Sequence, residues 1–225
     1  LERAVALHRF WPYLGPFFAG TGGIALLAQG PWWLPPVLFC LAGAVLLAAS
    51  LQVHRQLPAL FTFTLLFGAA AWLAGNIAWL GGVEIGTAAL FWMSFLVLTI
   101  AGERLELTRF LPPQAVGQKI FIALLAVIAT ALVLLPLSTE SGSRLLAGAF
   151  LVLAAWLLRY DIARRTVRQS GLTRFVAVCL LAGYAWLAVG GYLGLLGAFM
   201  PGHAWRDAAL HAVFLGFVFS MVIGH

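Results

Sequence analysis

Charge is what this sequence has least of. Asp, Glu, Lys and Arg make up 9% of its 225 residues and 63% are hydrophobic, whereas about a quarter of a soluble domain is charged. So little polar surface cannot cover a water-facing exterior, which excludes an ordinary soluble enzyme or binding domain. Cysteine is nearly missing: Cys40 and Cys179 are the only two. Both lie inside apolar runs, which excludes a disulfide framework and reads as two small buried hydrophobes. Short segments alternating apolar and polar residues, the mark of a membrane β-barrel, do not occur. Nor does any fixed-period repeat, low-complexity linker or cleavable signal pattern. No pair of carboxylates lies in the middle of an apolar run, as a proton relay requires. No Ser/His/Asp or Cys/His constellation can be assembled, so no catalytic residue is assigned.

What the chain does have is long apolar runs, near residues 11–29, 34–51, 59–80, 85–101, 120–135, 145–158, 175–200 and 208–225. Each approaches the length needed to cross a hydrocarbon layer roughly 30 Å thick. The fold class is therefore all-α: a polytopic transmembrane helix bundle of about eight spans, forming a single transmembrane domain over residues 1–225. Gly30-Pro31, Leu57-Pro58, Gly81-Gly82, Pro112-Pro113, Leu135-Pro136 and Pro201-Gly202 punctuate it. The sixth run is the shortest and is expected to continue as helix into the basic segment after it. The chain begins at Leu1 and stops at His225 without a polar tail, so both ends are expected to be truncated, with further helices to follow.

The basic residues give an orientation. Arg3, Arg9, Arg55, Arg104, Arg109, Lys119, Arg159, Arg164, Arg165, Arg168 and Arg174 all fall on one side of the eight-span arrangement. Only Arg144 and Arg206, of the 13 Lys and Arg, fall on the other. By the positive-inside rule the N-terminus and the basic side are cytoplasmic. The net charge of +6 thus reflects topology, and no nucleic-acid partner is implied. The bilayer is the first partner. The five arginines of residues 159–174 read either as topology determinants or as contacts for anionic lipid headgroups, at about 1 kcal/mol each.

Small and aromatic residues are patterned as well. Trp11, Trp32, Trp33, Trp79 and Trp205 fall at expected span ends, as interfacial anchors do. Trp72, Trp92, Trp156 and Trp186 lie deeper, where they either fill space or line a flat cofactor. Gly183, Gly190, Gly191, Gly194 and Gly197 in the seventh run, and Gly216, Ser220 and Gly224 in the eighth, suit close helix packing. The first run, with Pro12, Pro16 and Gly20-Thr21-Gly22-Gly23, is expected to be kinked or locally unwound, as in transporter sites. It is no phosphate loop, since no lysine follows and no strand precedes it. Asn76, the one strongly polar side chain of the third run, suits an interhelical hydrogen bond.

Chemistry shows above this background only in the last run, residues 206–225. His211 and His225 stand there in an apolar helix, and an imidazole in a bilayer is a functional-site hypothesis by default. On a regular helix they share a face to within roughly 40° but stand roughly 21 Å apart. One metal cannot take both, because ligand bonds are only about 2 Å long. An inner site would use His225 with His54 or His8, or with ligands from the further helices expected. An outer site would use His211 with His203, and Asp207, four residues before His211, would accept the imidazole N–H through its carboxylate. The alternatives remain open: His211 bonded to a neighbouring helix, Asp207 marking a helix start, and His8, His54 and His203 as interfacial residues. On the same regular-helix reckoning, the Gly216/Ser220/Gly224 stripe lies opposite His211, leaving the histidine face room for a bulky group.

The pattern of His211 opening an apolar, Gly- and Met-containing helix that closes in Gly224-His225 resembles the C-terminal region of NnrS-type haem–copper membrane proteins. Pro16-Phe17-Phe18 is loosely similar to their early aromatic-proline stretch. The likeness covers little beyond the last helix, and the family's Trp-His-x-His-Glu-like early helix has no counterpart. The resemblance implies a multi-pass protein of the bacterial cytoplasmic (inner) membrane with haem or copper as cofactor. It makes His211 and His225 the candidate ligands and links the protein to denitrification and nitric-oxide resistance. Two other functions stand beside it: a transporter or channel-like protein using the first run and Asn76, and a cofactor-free subunit or assembly factor packed against other membrane subunits through its last two helices.

Overall fold

In lipid, a backbone must satisfy its own hydrogen bonds, and a chain of apolar runs does so as helices. The computed structural model describes residues 7–108 and 114–224, and all regular structure among them is helical. The helices are α1 (Leu14–Leu27), α2 (Leu34–Gln56), α3 (Leu60–Leu80), α4 (Ile85–Thr108), α5 (Ala115–Leu134), α6 (Thr139–Tyr160), the short α7 (Ala163–Thr166), α8 (Gly171–Leu193), α9 (Arg206–His211) and α10 (Phe219–Ile223). A π-wound segment, Ala212–Val218, joins α9 to α10 into one last helix. Seven helices among the described residues are long and apolar enough to cross a membrane.

The expected first span differs from this. A 3-10 turn, Trp11–Tyr13, precedes an α1 of 14 residues, about 21 Å long. Pro12 is the second residue of the 3-10 turn and Pro16 lies in the first turn of α1, where a missing N–H is tolerated. The helix then runs unbroken through Gly20–Gly23 instead of unwinding, with the Thr21 hydroxyl donating to the Phe17 carbonyl at 2.9 Å. It closes where Gln29 adopts a left-handed φ of 53° and the Gly30 N–H reaches back to Ala25 at 2.9 Å. The sixth span also differs. It extends at its N-terminus, where Ser138 caps it by accepting from the Ser141 N–H, and enters the basic segment only as far as Arg159 and Tyr160.

The chain divides into two compact units, Leu1–Gly102 and Glu103–His225. In the first, neighbouring helices lie side by side through glycines. Gly15 faces Val45 and Gly22 faces Leu38, so α1 runs antiparallel to α2. Gly43 packs on Leu73 of α3, and Gly75 on Phe91 and Trp92 of α4. Asn76, buried, donates to the Phe39 carbonyl at 3.1 Å, which is the interhelical bond its type suggests.

In the second unit α5 and α6 form a tight hairpin. Buried Trp156 donates to the Gly117 carbonyl at 2.8 Å and packs against Phe121 in a tilted ring pair with centroids 4.8 Å apart. Of the deeper tryptophans this one fills space between helices. α8 carries glycines on two faces. Gly191 and Gly194 meet α6 at Ala147 and Leu151, and Gly183 and Gly190 meet the last helix at Met221, Phe217 and Val213. From the other side Gly216 lies under Trp186, and Gly224 under Cys179. The seam expected from small residues is therefore present. Its phase is not that of a regular helix, because the π-wound stretch turns less per residue. A second such stretch, Gly194–Ala198, ends α8 with Gly197 at φ 93°.

A Cβ at Gly191 would lie 2.8 Å from the Leu151 backbone N and 2.9 Å from the Ala147 carbonyl O, whereas at Gly20 it would meet nothing within 4 Å. Gly191→Ala is therefore expected to destabilise the protein by about 1–3 kcal/mol. Gly20→Ala is expected to stabilise it by up to about 1 kcal/mol through helix propensity. Equilibrium unfolding in mixed micelles checks both, and equal effects would contradict the packing described.

Candidate functional site

His211 closes the last α-helical turn before the π-wound segment and its side chain is exposed. Its Nδ1 lies 2.6 Å from the backbone carbonyl oxygen of Asp207. A carbonyl only accepts, so Nδ1 carries the proton and donates, and the Nε2 lone pair is left pointing outward. The partner that sets this tautomer is thus the Asp207 main chain, not its carboxylate as the sequence suggested. The acid itself is exposed in the first turn of α9, on the positive end of the helix. Arg206 beside it donates from Nη1 to the Phe199 carbonyl, tying the helix start to the end of α8.

His203 and His54 are each held in a turn. His203 accepts the Trp205 N–H on Nδ1 at 3.2 Å, which places its proton on Nε2. His54 lies with Nδ1 2.8 Å from the Thr62 hydroxyl. That hydroxyl also bonds the Leu57 and Ala59 carbonyls at 2.8 and 2.9 Å, bracing the turn between α2 and α3. His8 is exposed with a φ of 48°, and His225 lies outside the described residues. Among the described residues no group of three or more His, Cys, Asp or Glu is placed to hold a metal ion.

Trp72 and Trp92 do line a cavity in the first unit, of about 320 Å³, with Trp79, Phe39, Phe95 and Asn76. That volume is at the small end of the range usual for small-molecule sites. The Trp92 indole N–H packs against Gly75 and makes no hydrogen bond among the described residues.

A buried ionic cluster in the second unit escaped the sequence reading. Arg104, at the end of α4 and within the second unit, is 7% exposed; Asp161, just past α6, is 5% exposed; Tyr184, on α8, is fully buried. Asp161 Oδ1 accepts the Ala163 N–H at 2.7 Å and so starts α7. Asp161 Oδ2, Arg104 Nε and the Tyr184 hydroxyl make no hydrogen bond among the described residues. The three residues come from distant parts of the chain, so no linear motif joins them. The available signal was a single acid, Asp161, within a segment of five arginines.

Burial pushes the Asp161 carboxyl above the usual carboxylate range. The Ala163 N–H, the Arg104 charge and the nearby Tyr184 hydroxyl pull it down without restoring it. A raised folded-state value means the folded protein holds this proton more tightly than the unfolded chain does. The associated stability is complete below about pH 3.9, the ordinary value, and is lost as pH rises through the raised one. The melting temperature in detergent is thus expected to fall as pH rises above about 4, less steeply in Asp161→Asn. Parallel slopes in the two proteins would show that this carboxyl is not perturbed.

Neither the curated proteins nor the solved structures provide a match to this chain. A family model does, across residues 1–225, under the description "Domain of unknown function (DUF8744)". The chain belongs to that family.

Proposed function

We propose that this chain is a multi-pass protein of the bacterial cytoplasmic membrane that binds haem through His211 and serves redox or nitric-oxide-linked physiology. One observation carries the reading. His211 is an exposed imidazole on an apolar helix, its Nδ1–H held by a main-chain carbonyl and its Nε2 lone pair free. Ligating histidines are oriented in this way, through a bond from the nitrogen that does not ligate. The donor set suits haem, whose macrocycle supplies four nitrogens and asks the protein for one imidazole. Copper alone would need further donors, and His225, if it is one, serves elsewhere. Bound haem iron would supply the affinity for a diatomic gas or the one-electron chemistry. The chain's own contribution is to fix the imidazole's tautomer and heading and to keep the packing seam on α8 away from it.

The same exposed imidazole supports a second reading, in which Nε2 bonds a helix of a partner subunit and no cofactor is involved. Of the features that suggested a transport path, Asn76 bonds the Phe39 carbonyl and Gly22 packs on Leu38, while Gly20 and Gly23 meet nothing within 4 Å. Purified protein supplied with haem is expected to show a Soret band and about one haem per chain by the single-ligand arithmetic. His211→Ala is expected to lose the band while keeping its melting temperature, and His203→Ala to keep both. A colourless, iron-free preparation after haem supply would overturn the proposal, and stable co-purification of a membrane partner would then favour the second reading.

The arginine-rich ends are proposed to face the cytoplasm, the five arginines of residues 159–174 meeting anionic headgroups there. In a background lacking Cys40 and Cys179, an impermeant thiol reagent added to cells with a permeabilised outer membrane is expected to label Glu140→Cys and spare Arg168→Cys. The opposite pattern would invert the topology.

A further inference from the structure

Three of those five arginines surround one groove. Arg159 at the end of α6, Arg164 in α7 and Arg168 just beyond it line an open depression of about 520 Å³ whose floor is Ala155, Leu158 and Leu181. All three arginines are exposed, and none is paired with a carboxylate among the described residues. Arg159 also stands 5.4 Å over the Tyr160 ring. Arg165 and Arg174 belong to the same segment but do not line the groove.

We propose that this groove is a binding site for one anionic phospholipid, its phosphate taken by Arg159, Arg164 and Arg168 and an acyl chain laid along Ala155, Leu158 and Leu181. The proposal rests on the reading that this segment meets anionic lipid, and turns a diffuse attraction into a defined site. The polarity of the groove runs in the right order. Its floor residues belong to the membrane-spanning helices Thr139–Tyr160 and Gly171–Ala198, and its arginines lie at and beyond the end of the first of these. Basic pockets between spanning helices take phospholipid headgroups in this manner, and a soluble anion would make no use of the apolar floor.

The short helix shows how the charges are held together. Arg164 and Arg168 stand four residues apart, on one face of a helical turn, where like charges repel. The turn is nevertheless held: Asp161 Oδ1 binds the Ala163 N–H at 2.7 Å, and the Val167 N–H reaches the Ala163 carbonyl at 3.0 Å. Asp161, the one acid of the segment, is spent on that task and on facing Arg104 from a buried position. It does not neutralise the groove. Three cations are thus fixed around one apolar slot, and an anion is the partner that offsets their repulsion.

Native mass spectrometry of the full chain in detergent, titrated with phosphatidylglycerol or with phosphatidylcholine of the same acyl chains, tests this. One phosphatidylglycerol is expected to bind preferentially. Arg164→Gln with Arg168→Gln should weaken it roughly 30-fold, from about fivefold per arginine. Removing the same charge with Arg165→Gln and Arg174→Gln should change it less than about twofold. Leu181→Trp, which fills the floor without touching charge, should also weaken it. Equal losses in the two arginine pairs, or no loss in Leu181→Trp, would overturn the site while leaving general attraction to anionic lipid intact. No preference for phosphatidylglycerol would overturn both. Displacement by millimolar inorganic phosphate would overturn the choice of a phospholipid. Melting temperatures of all variants, expected within a few degrees of the parent, separate loss of binding from loss of fold.

Discussion

Close backbone approach at α8 is the constraint on which the second unit depends. Lipid offers no hydrophobic drive between helices, so association rests on packing, and packing is tightest where side chains are absent. α8 supplies such positions on two faces, Gly191 and Gly194 towards α6, Gly183 and Gly190 towards the last helix. Both neighbours are seated by the same helix. The face of the last helix that is left over carries His211, so an exposed imidazole is a by-product of where the glycines are.

Polar groups in this protein divide by how they are satisfied. Asn76, Thr62 with His54, and Trp156 each find a main-chain or side-chain partner at hydrogen-bonding distance, and such bonds brace turns and pin helices. Arg104, Asp161 and Tyr184 are different, each burying an atom with no such partner among the described residues. Buried ionisable groups near a membrane are costly and tend to be kept for a task. Here the visible task is mechanical: Asp161 starts the short helix that carries Arg164. A charge hidden inside the unit thus positions charges displayed outside it.

Much of the fold was legible in composition, because a chain that is mostly apolar and punctuated by Gly and Pro has few alternatives to spanning helices. Asn76 and the α8 seam were legible for the same reason, since small or amide side chains in apolar runs have few other uses. Span ends were less so. α1 is short because Gln29 turns left-handed, and α6 starts early because Ser138 caps it, both local events that hydropathy averages away. The carbonyl partner of His211 was missed because spacing pointed to a carboxylate and main-chain acceptors leave no trace in residue type. The Arg104–Asp161–Tyr184 cluster was missed because each member has an ordinary role when taken alone, and only folding brings them together.

The π-wound stretch after His211 has a consequence for how the last helix tolerates change. A π turn is an α-helix carrying surplus chain, so the heading of everything before it depends on how many residues it contains, not on which ones. Apolar exchanges within residues 212–218 leave that heading alone. Loss of a single residue there would let the helix close into regular turns with the heading of His211 nearly kept, whereas loss of a second would find no surplus to absorb it and swing His211 by about 100° relative to the glycine seam. The direction in which this histidine faces is stored as a length.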